Sequence, residues 1–282
     1  MKTYLDCLPC FLNQALRAAR IATDDEKKIK TVLDEVGMML KNISLNTSPP
    51  ESAGLIYHKV KEITGNVDPY NKIKKESTQQ ALSLYPYLKD RLKKSKDRLL
   101  MAIRIAIAGN IIDFGANWNF DIENETYKVL EMNFAVCDYN RFKNKLDKAP
   151  NVLYIGDNAG ECVFDRILIE EIKKPVTYVV REVPIINDAT YEDAVQAGID
   201  GVATILSSGT DAPGTILETC SQEFKEVYKN SEFVISKGQG NYESLSKERR
   251  PIFFLLKTKC NIVAGDIGVD IGDIVLKGSD DY

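Results

Sequence analysis

Histidine is almost missing from this sequence: 282 residues contain one, His58. It falls in a helical first part of the chain and reads as structural or surface, so the chemistry must come from other side chains. No Gly-x-x-x-x-Gly-Lys-Ser/Thr run occurs, which excludes a P-loop. No Gly-x-Ser-x-Gly occurs, which sets aside the nucleophile elbow of α/β-hydrolases. Long apolar runs are missing too. The longest, residues 99–112, is interrupted by Arg104 and Asn110. It falls short of the ~18 residues of a membrane span, so a buried helix and no membrane partner are expected. Positive charge is not in excess: 37 Lys and Arg against 41 Asp and Glu give a net −4. No basic field therefore points to nucleic acid. No basic-then-apolar leader opens the chain. The six cysteines are accordingly expected as reduced thiols in the cytoplasm.

What is present divides in two. Apolar residues make up 44% of the chain, ample for a sizeable core. Residues 1–112 read as an all-helical unit. Leu5, Leu8, Phe11, Leu12, Ala15, Leu16 and Ala19 recur at helical spacing. Acidic Asp24-Asp25-Glu26 starts a second helix. Further helices are expected over 52–64, over 72–87 with an end near Pro86, and over 88–112. In residues 113–282 short apolar runs alternate with helical ones. Strands are expected at 152–155, 176–180, 201–206, 233–235 and 252–256, with Ile262-Val263-Ala264 and 273–276 closing the sheet. Helices are expected at 162–172, 191–197 and 214–229. That alternation means βαβ units and a mainly parallel sheet.

Strands of a parallel sheet end along one edge, where α/β proteins gather ligands. After the first expected strand come Asp157, Asn158 and Glu161. After the second comes the run from Arg181 to Asp188, and after the third Ser207-Ser208-Gly209 and on to Gly214. After the fourth come Lys237, Gly238 and Asn241, and after the fifth Lys259. Asp157, Asn158 and Asp188 offer only oxygen, which suits a hard cation such as Mg²⁺ or Mn²⁺. The glycine-bearing turns 207–214 and 237–241 let backbone N–H groups approach an anion, and Lys237 and Lys259 would neutralise phosphate. The combination fits metal-assisted hydrolysis of a phosphoester. Taken singly, each piece has a plainer reading: Gly156–Gly160 as a turn, Asn187-Asp188 as a helix cap, and 207–210 as a loop. Cys7-Leu8-Pro9-Cys10 opens a helical stretch, and zinc would need two more ligands. A structural role there is weighed against a metal or redox one.

Several runs together resemble the damage-control phosphatase family. They are Gly156-Asp-Asn-Ala-Gly-Glu161, Arg181-x-x-Pro-x-x-Asn-Asp188, Ser236-Lys-Gly-Gln-Gly-Asn-Tyr-Glu243 and Leu256-Lys-Thr-Lys-Cys260. Cys7-x-x-Cys10, Asp68-Pro-Tyr70 and Ala108-Gly-Asn-Ile-Ile-Asp-Phe-Gly115 are similar to its stand-alone prokaryotic members. The resemblance implies a helical N-terminal domain on a Rossmann-like three-layer α/β/α domain. It implies metal-dependent hydrolysis of phosphate monoesters, with Asp157, Asn158 and Asp188 as ligands of Mn²⁺, Ni²⁺, Co²⁺ or Mg²⁺. It places Glu161, the 238–242 loop and Lys259 against substrate, and Asn110 and Asp113 as the helical part's share of the cleft. Two other readings stand beside it. Val152–Asp157 also resembles the first strand and turn of S-adenosylmethionine-dependent methyltransferases. The chain could equally be a non-catalytic protein that binds metal or a phosphorylated ligand.

Overall fold

The computed structural model describes residues 1–111 and 122–279. Three helices come first: α1 (Cys7–Ala22), α2 (Glu26–Leu40) and α3 (Pro49–Thr64). They close around a core of their own that includes Phe11, Ala15, Val32, Val36, Ile56 and Val60. Asp25 starts α2 by accepting hydrogen bonds from the Lys27 and Lys28 amides. Gly65 ends α3 in the left-handed conformation.

The next helix, α4 (Asn71–Lys94), runs straight through Pro86, where an end was expected. Proline removes one backbone bond and crowds the preceding turn. Ala81, Leu84, Leu88 and Leu92 form one continuous buried stripe on either side of it, and that burial outweighs the local penalty. α5 (Arg98–Ala108) is buried at residues 102, 103 and 105–108, and a single 3₁₀ turn follows at Gly109–Ile111. α4 and α5 share a hydrophobic cluster with the sheet rather than with α1–α3. The helical stretch thus packs in two places.

The remaining elements are α6 (Ile122–Glu131), β1 (Phe134–Cys137), α7 (Tyr139–Lys148), β2 (Val152–Ile155), α8 (Cys162–Ile172), β3 (Val176–Val180), α9 (Tyr191–Gln196), β4 (Thr204–Ser207), α10 (Gln222–Asn230), β5 (Val234–Lys237), α11 (Gln239–Leu245), β6 (Ile252–Lys257), α12 (Asn261–Ile267) and β7 (Ile274–Gly278). The sheet has seven strands in the order β1-β7-β6-β5-β2-β3-β4. Strands β2 to β6 are mutually parallel, and β7 runs antiparallel to β6 and parallel to β1. Along β2, Val152 and Tyr154 enter the cluster beneath α5 and α8. Leu153 and Ile155 enter the opposite one, with Phe224 of α10, Leu245 of α11 and Val263 of α12. Alternate side chains of a strand point to opposite faces, so helices cover both, in the expected α/β layering.

Two expectations are corrected. Ile262-Val263-Ala264 lies inside α12, not in a strand: three apolar residues cannot tell a strand from a buried helical turn. The helix expected from Gly214 begins at Gln222, where Ser221 Oγ accepts the Phe224 amide at 3.1 Å. β1, α6, α7 and α11 were not foreseen.

Candidate active site

The loops after β2 and β3 are sewn together. Asn158 and Asp188 form an isolated antiparallel bridge. The Ala159 amide donates to Asn187 O at 2.9 Å, and the Ala189 amide donates to Asp157 O at 2.8 Å. This pairing brings Asp157, Asn158 and Asp188 side by side, although 31 residues separate the first from the last. Arg181, at the end of β3, clamps the group. Its Nε donates to Asp188 Oδ2 at 2.7 Å, and its other nitrogens reach Thr215 Oγ1 at 3.2 Å and Asn241 Oδ1 at 3.0 Å. Asn241 Nδ2 in turn donates to the carbonyls of Gly156, at 2.9 Å, and Lys237, at 2.8 Å.

Two glycines are required by what passes close to them. A Cβ on Gly156 would stand 2.5 Å from the Tyr178 hydroxyl. Gly238 has φ +79° and ψ 169°, a region essentially confined to glycine. A Cβ there would overlap the Asp157 carboxylate.

Beneath this floor lies a buried polar layer. Glu161 Oε1 accepts Nδ2 of Asn158 at 2.5 Å and of Asn110 at 2.6 Å, and Oε2 accepts Lys237 Nζ at 3.1 Å. Lys237 also donates to Asp165 Oδ1 at 2.6 Å. Tyr154 and Tyr178 donate to the same carboxylate at 2.7 and 2.8 Å. Burial, then the charges of Glu161 and Asp188, push the Asp157 pKa well above the carboxylate range. Burial, against the pull of Arg181, raises Asp188 to about 6. Burial works against the Lys237 ammonium, yet Asp165 and Glu161 hold its pKa above the ordinary lysine value.

Four buried acidic groups (Asp157, Glu161, Asp165, Asp188) face two buried cations (Arg181, Lys237), and 4 − 2 leaves a surplus of two acids that either hold a proton or answer a cation. Asn110 Oδ1 is buried without a hydrogen-bond partner, where such atoms are normally satisfied. Both observations fit a divalent cation. Among the described residues no group of three or more His, Cys, Asp or Glu is arranged to hold a metal. The set that fits is mixed: the Asp157 and Asp188 carboxylates with the Asn158 carboxamide.

The three residues form part of the wall of a cleft of about 550 Å³. Lys259 and Cys260 join them from the sheet edge. Cys7, Cys10, Gln14 and Arg17 of α1 and Tyr57 of α3 face them from the helical bundle.

Comparison with known proteins follows this geometry closely. The model of the "Damage-control phosphatase ARMT1-like domain" matches residues 3–275. A damage-control phosphatase of Pyrococcus horikoshii is 36% identical over 98% of this chain and 97% of its own. An uncharacterised protein of Methanocaldococcus jannaschii is 38% identical over 96% and 93%. A crystal structure from Pyrococcus horikoshii, described as a DUF89 family protein, superposes with a TM-score of 0.91 at 35% identity, covering 99% of this chain and 100% of that one. The chain belongs to the ARMT1-like damage-control phosphatase family.

Within this family member the expected site residues fall into groups. Asp157, Asn158, Asp188 and Lys259 line the cleft. Gly238, Asn241 and Asn110 adjoin them, Gly238 and Asn110 against Asp157 and Asn241 through Gly156 and Arg181. Glu161 and Lys237, expected against substrate, are sealed beneath the floor with 0% exposure, and neither lines the cleft. Ser207, Ser208 and Gly209 do not line it either. Ser207 Oγ donates to Glu182, Ser208 Oγ donates to Val180 O at 2.8 Å, and the Gly209 amide donates to Ser207 Oγ at 3.1 Å. Asp113 lies outside the described residues. His58 pairs with Asp211 at 2.9 Å, and neither residue lines the cleft. Asp165, Thr215 and the two tyrosines were missed. Asp165 had a signal: it stands four residues after Glu161 in the run 162–172 read as helix, and i, i+4 positions share a face.

Proposed function

We propose that the chain is a divalent-metal-dependent phosphatase acting on phosphate monoesters of small metabolites, damaged phosphometabolites and sugar phosphates being the class in view. The observation that carries this reading is the joining of Asp157, Asn158 and Asp188 on a cleft wall backed by a surplus of two buried acidic groups over buried cations. The names of its relatives agree with it. Asp157, Asn158 and Asp188 would hold the cation, whether Mn²⁺, Ni²⁺, Co²⁺ or Mg²⁺, which when bound polarises a phosphoryl oxygen and acidifies water.

The chain's own residues supply the rest. Lys259, exposed at the cleft wall, neutralises phosphoryl oxygens that face away from the carboxylates. Arg181 fixes Asp188 through one carboxylate oxygen and leaves the other for the cation and the water beside it. The sealed Glu161 cannot take that part. The opposing wall of α1 and α3 contacts the leaving group and shields the reacting atoms from bulk water.

Methyl transfer is supported less well. The turn 157–160 contains no residue of positive φ, and its backbone is paired with the loop after β3. S-adenosylmethionine finds no open glycine turn there.

The test is phosphate release from a panel of phosphomonoesters with and without added metal. Release should require metal and disappear in both Asp157→Ala and Asp188→Ala. Activity surviving in both variants would sink the assignment.

A further inference from the structure

We infer that Glu161 is a positioning residue that turns the Asn158 carboxamide oxygen toward the cleft, and that Lys237 and Asp165 hold Glu161 from below. The inference rests on reading Asp157, Asn158 and Asp188 as cation ligands.

A carboxamide has two N–H donors and one oxygen acceptor. Asn158 gives its Nδ2 to two carboxylates, Glu161 Oε1 at 2.5 Å and Asp157 Oδ2 at 3.2 Å. The flipped amide would set Oδ1 against both anionic oxygens. Glu161 therefore dictates the orientation, and the one polar atom left to face the cleft is Oδ1. Asn110 is held by the same two carboxylates, at 2.6 Å from Glu161 Oε1 and 3.4 Å from Asp157 Oδ2.

Glu161 has no route to substrate. It is fully buried, and its second oxygen accepts Lys237 Nζ at 3.1 Å. Lys237 is anchored by Asp165, which receives the hydroxyls of Tyr154 on β2 and Tyr178 on β3. Those rings stack with centroids 5.3 Å apart inside the sheet's core. A continuous run of hydrogen bonds thus connects the rigid centre of the sheet to the amide at its edge.

Buried charge pairs seldom add stability over apolar residues of similar volume. Stability therefore gives no sufficient reason for a lysine, two carboxylates and two hydroxyls to occupy this core. Orientation does: groups behind a ligand that fix its direction govern metal affinity.

The test is titration calorimetry with Mn²⁺ alone on the full chain, comparing wild type, Glu161→Gln and Asp165→Asn. The Mn²⁺ dissociation constant should rise about ten- to hundredfold in Glu161→Gln, and by less, in the same direction, in Asp165→Asn. Asp165→Asn keeps the volume of the side chain and carries the test if Glu161→Gln does not fold. Phosphate release by Asp165→Asn should recover as Mn²⁺ is raised to saturation, which general damage would not do. Phe142→Leu, a remote core change against Phe233 and Phe253, should lower Tm and leave Mn²⁺ affinity unchanged. Wild-type affinity in both folded variants overturns the positioning role and leaves the metal reading standing. Failure of the wild type to bind Mn²⁺, and then Ni²⁺, Co²⁺ and Mg²⁺ titrated in its place, overturns the metal reading and this inference with it.

Discussion

Gly238→Ala tests the site through its backbone. The residue sits at φ +79° and ψ 169°, where a side chain costs about 1–3 kcal/mol. The new methyl would also overlap the Asp157 carboxylate and approach Asp157 Cβ to 3.0 Å. Restoring an ordinary contact of about 3.5 Å to the carboxylate oxygen moves that group by more than ~1 Å. A displacement of that size can lower turnover by about 100-fold. Stability should fall by about 2 kcal/mol, and Tm by roughly 4–8 °C. The assay is thermal unfolding alongside metal-dependent phosphate release. Gly65→Ala is the matched control. Gly65 also has positive φ, +76°, but nothing lies within 4 Å of its Cβ position. It should lose about 1 kcal/mol and keep full kcat/KM. If Gly238→Ala keeps wild-type kcat/KM, or if Gly65→Ala loses activity equally, the close approach of Gly238 to Asp157 has no bearing on the site.

Two further outcomes follow from the same coordinates. Pro86→Ala should raise Tm by a few degrees: the exposed proline removes a backbone bond inside the continuous α4, and alanine recovers up to ~3 kcal/mol of helix propensity, less about 1 kcal/mol returned to the unfolded chain. A lowered Tm would contradict that account. Glu243, on the cleft wall, has its pKa raised by burial from 4.5 to about 7. A carboxyl with a raised folded pKa contributes stability that is full below 4.5 and lost as pH rises through about 7. Glu243→Gln should therefore gain on wild type between pH 5 and pH 8, by at most about 3 kcal/mol. Urea unfolding at the two pH values measures the difference, and an equal offset at both would refute it.

The surplus of buried carboxylate explains much of the site's construction. Arg181 and Lys237 each answer one or two acids, and neither is free to meet a substrate. Among the described residues Lys259 and Arg17 are the cations that line the cleft, so a phosphate entering there meets these two and whatever the carboxylates hold. Asp157→Asn should register chiefly in metal binding, whereas Asp188→Asn also leaves the buried Arg181 without its ion-pair partner and should lower stability as well.

Local pattern alone determined β2, β3 and α8, whose ends coincide with the expected 152–155, 176–180 and 162–172. β2 is an unbroken apolar run, β3 is apolar but for Thr177, and α8 carries its apolar residues at helical spacing, so burial, propensity and punctuation agree within a few positions. The sheet class was legible for the same reason, and so was the ordering of chemistry along one edge, since parallel strands must end together. Direction and depth were not legible. Lys237 follows a strand beside glycine and reads as an accessible cation, yet two carboxylates from α8 draw it wholly inside. Ser207 to Gly209 read as a phosphate turn, yet their hydroxyls and an amide close on one another and on neighbouring loops. Residue types on an edge are a property of sequence. Which of them face the cleft depends on partners dozens of residues away, and only the packing of α8 against the sheet, and of α1 and α3 across from it, decides that.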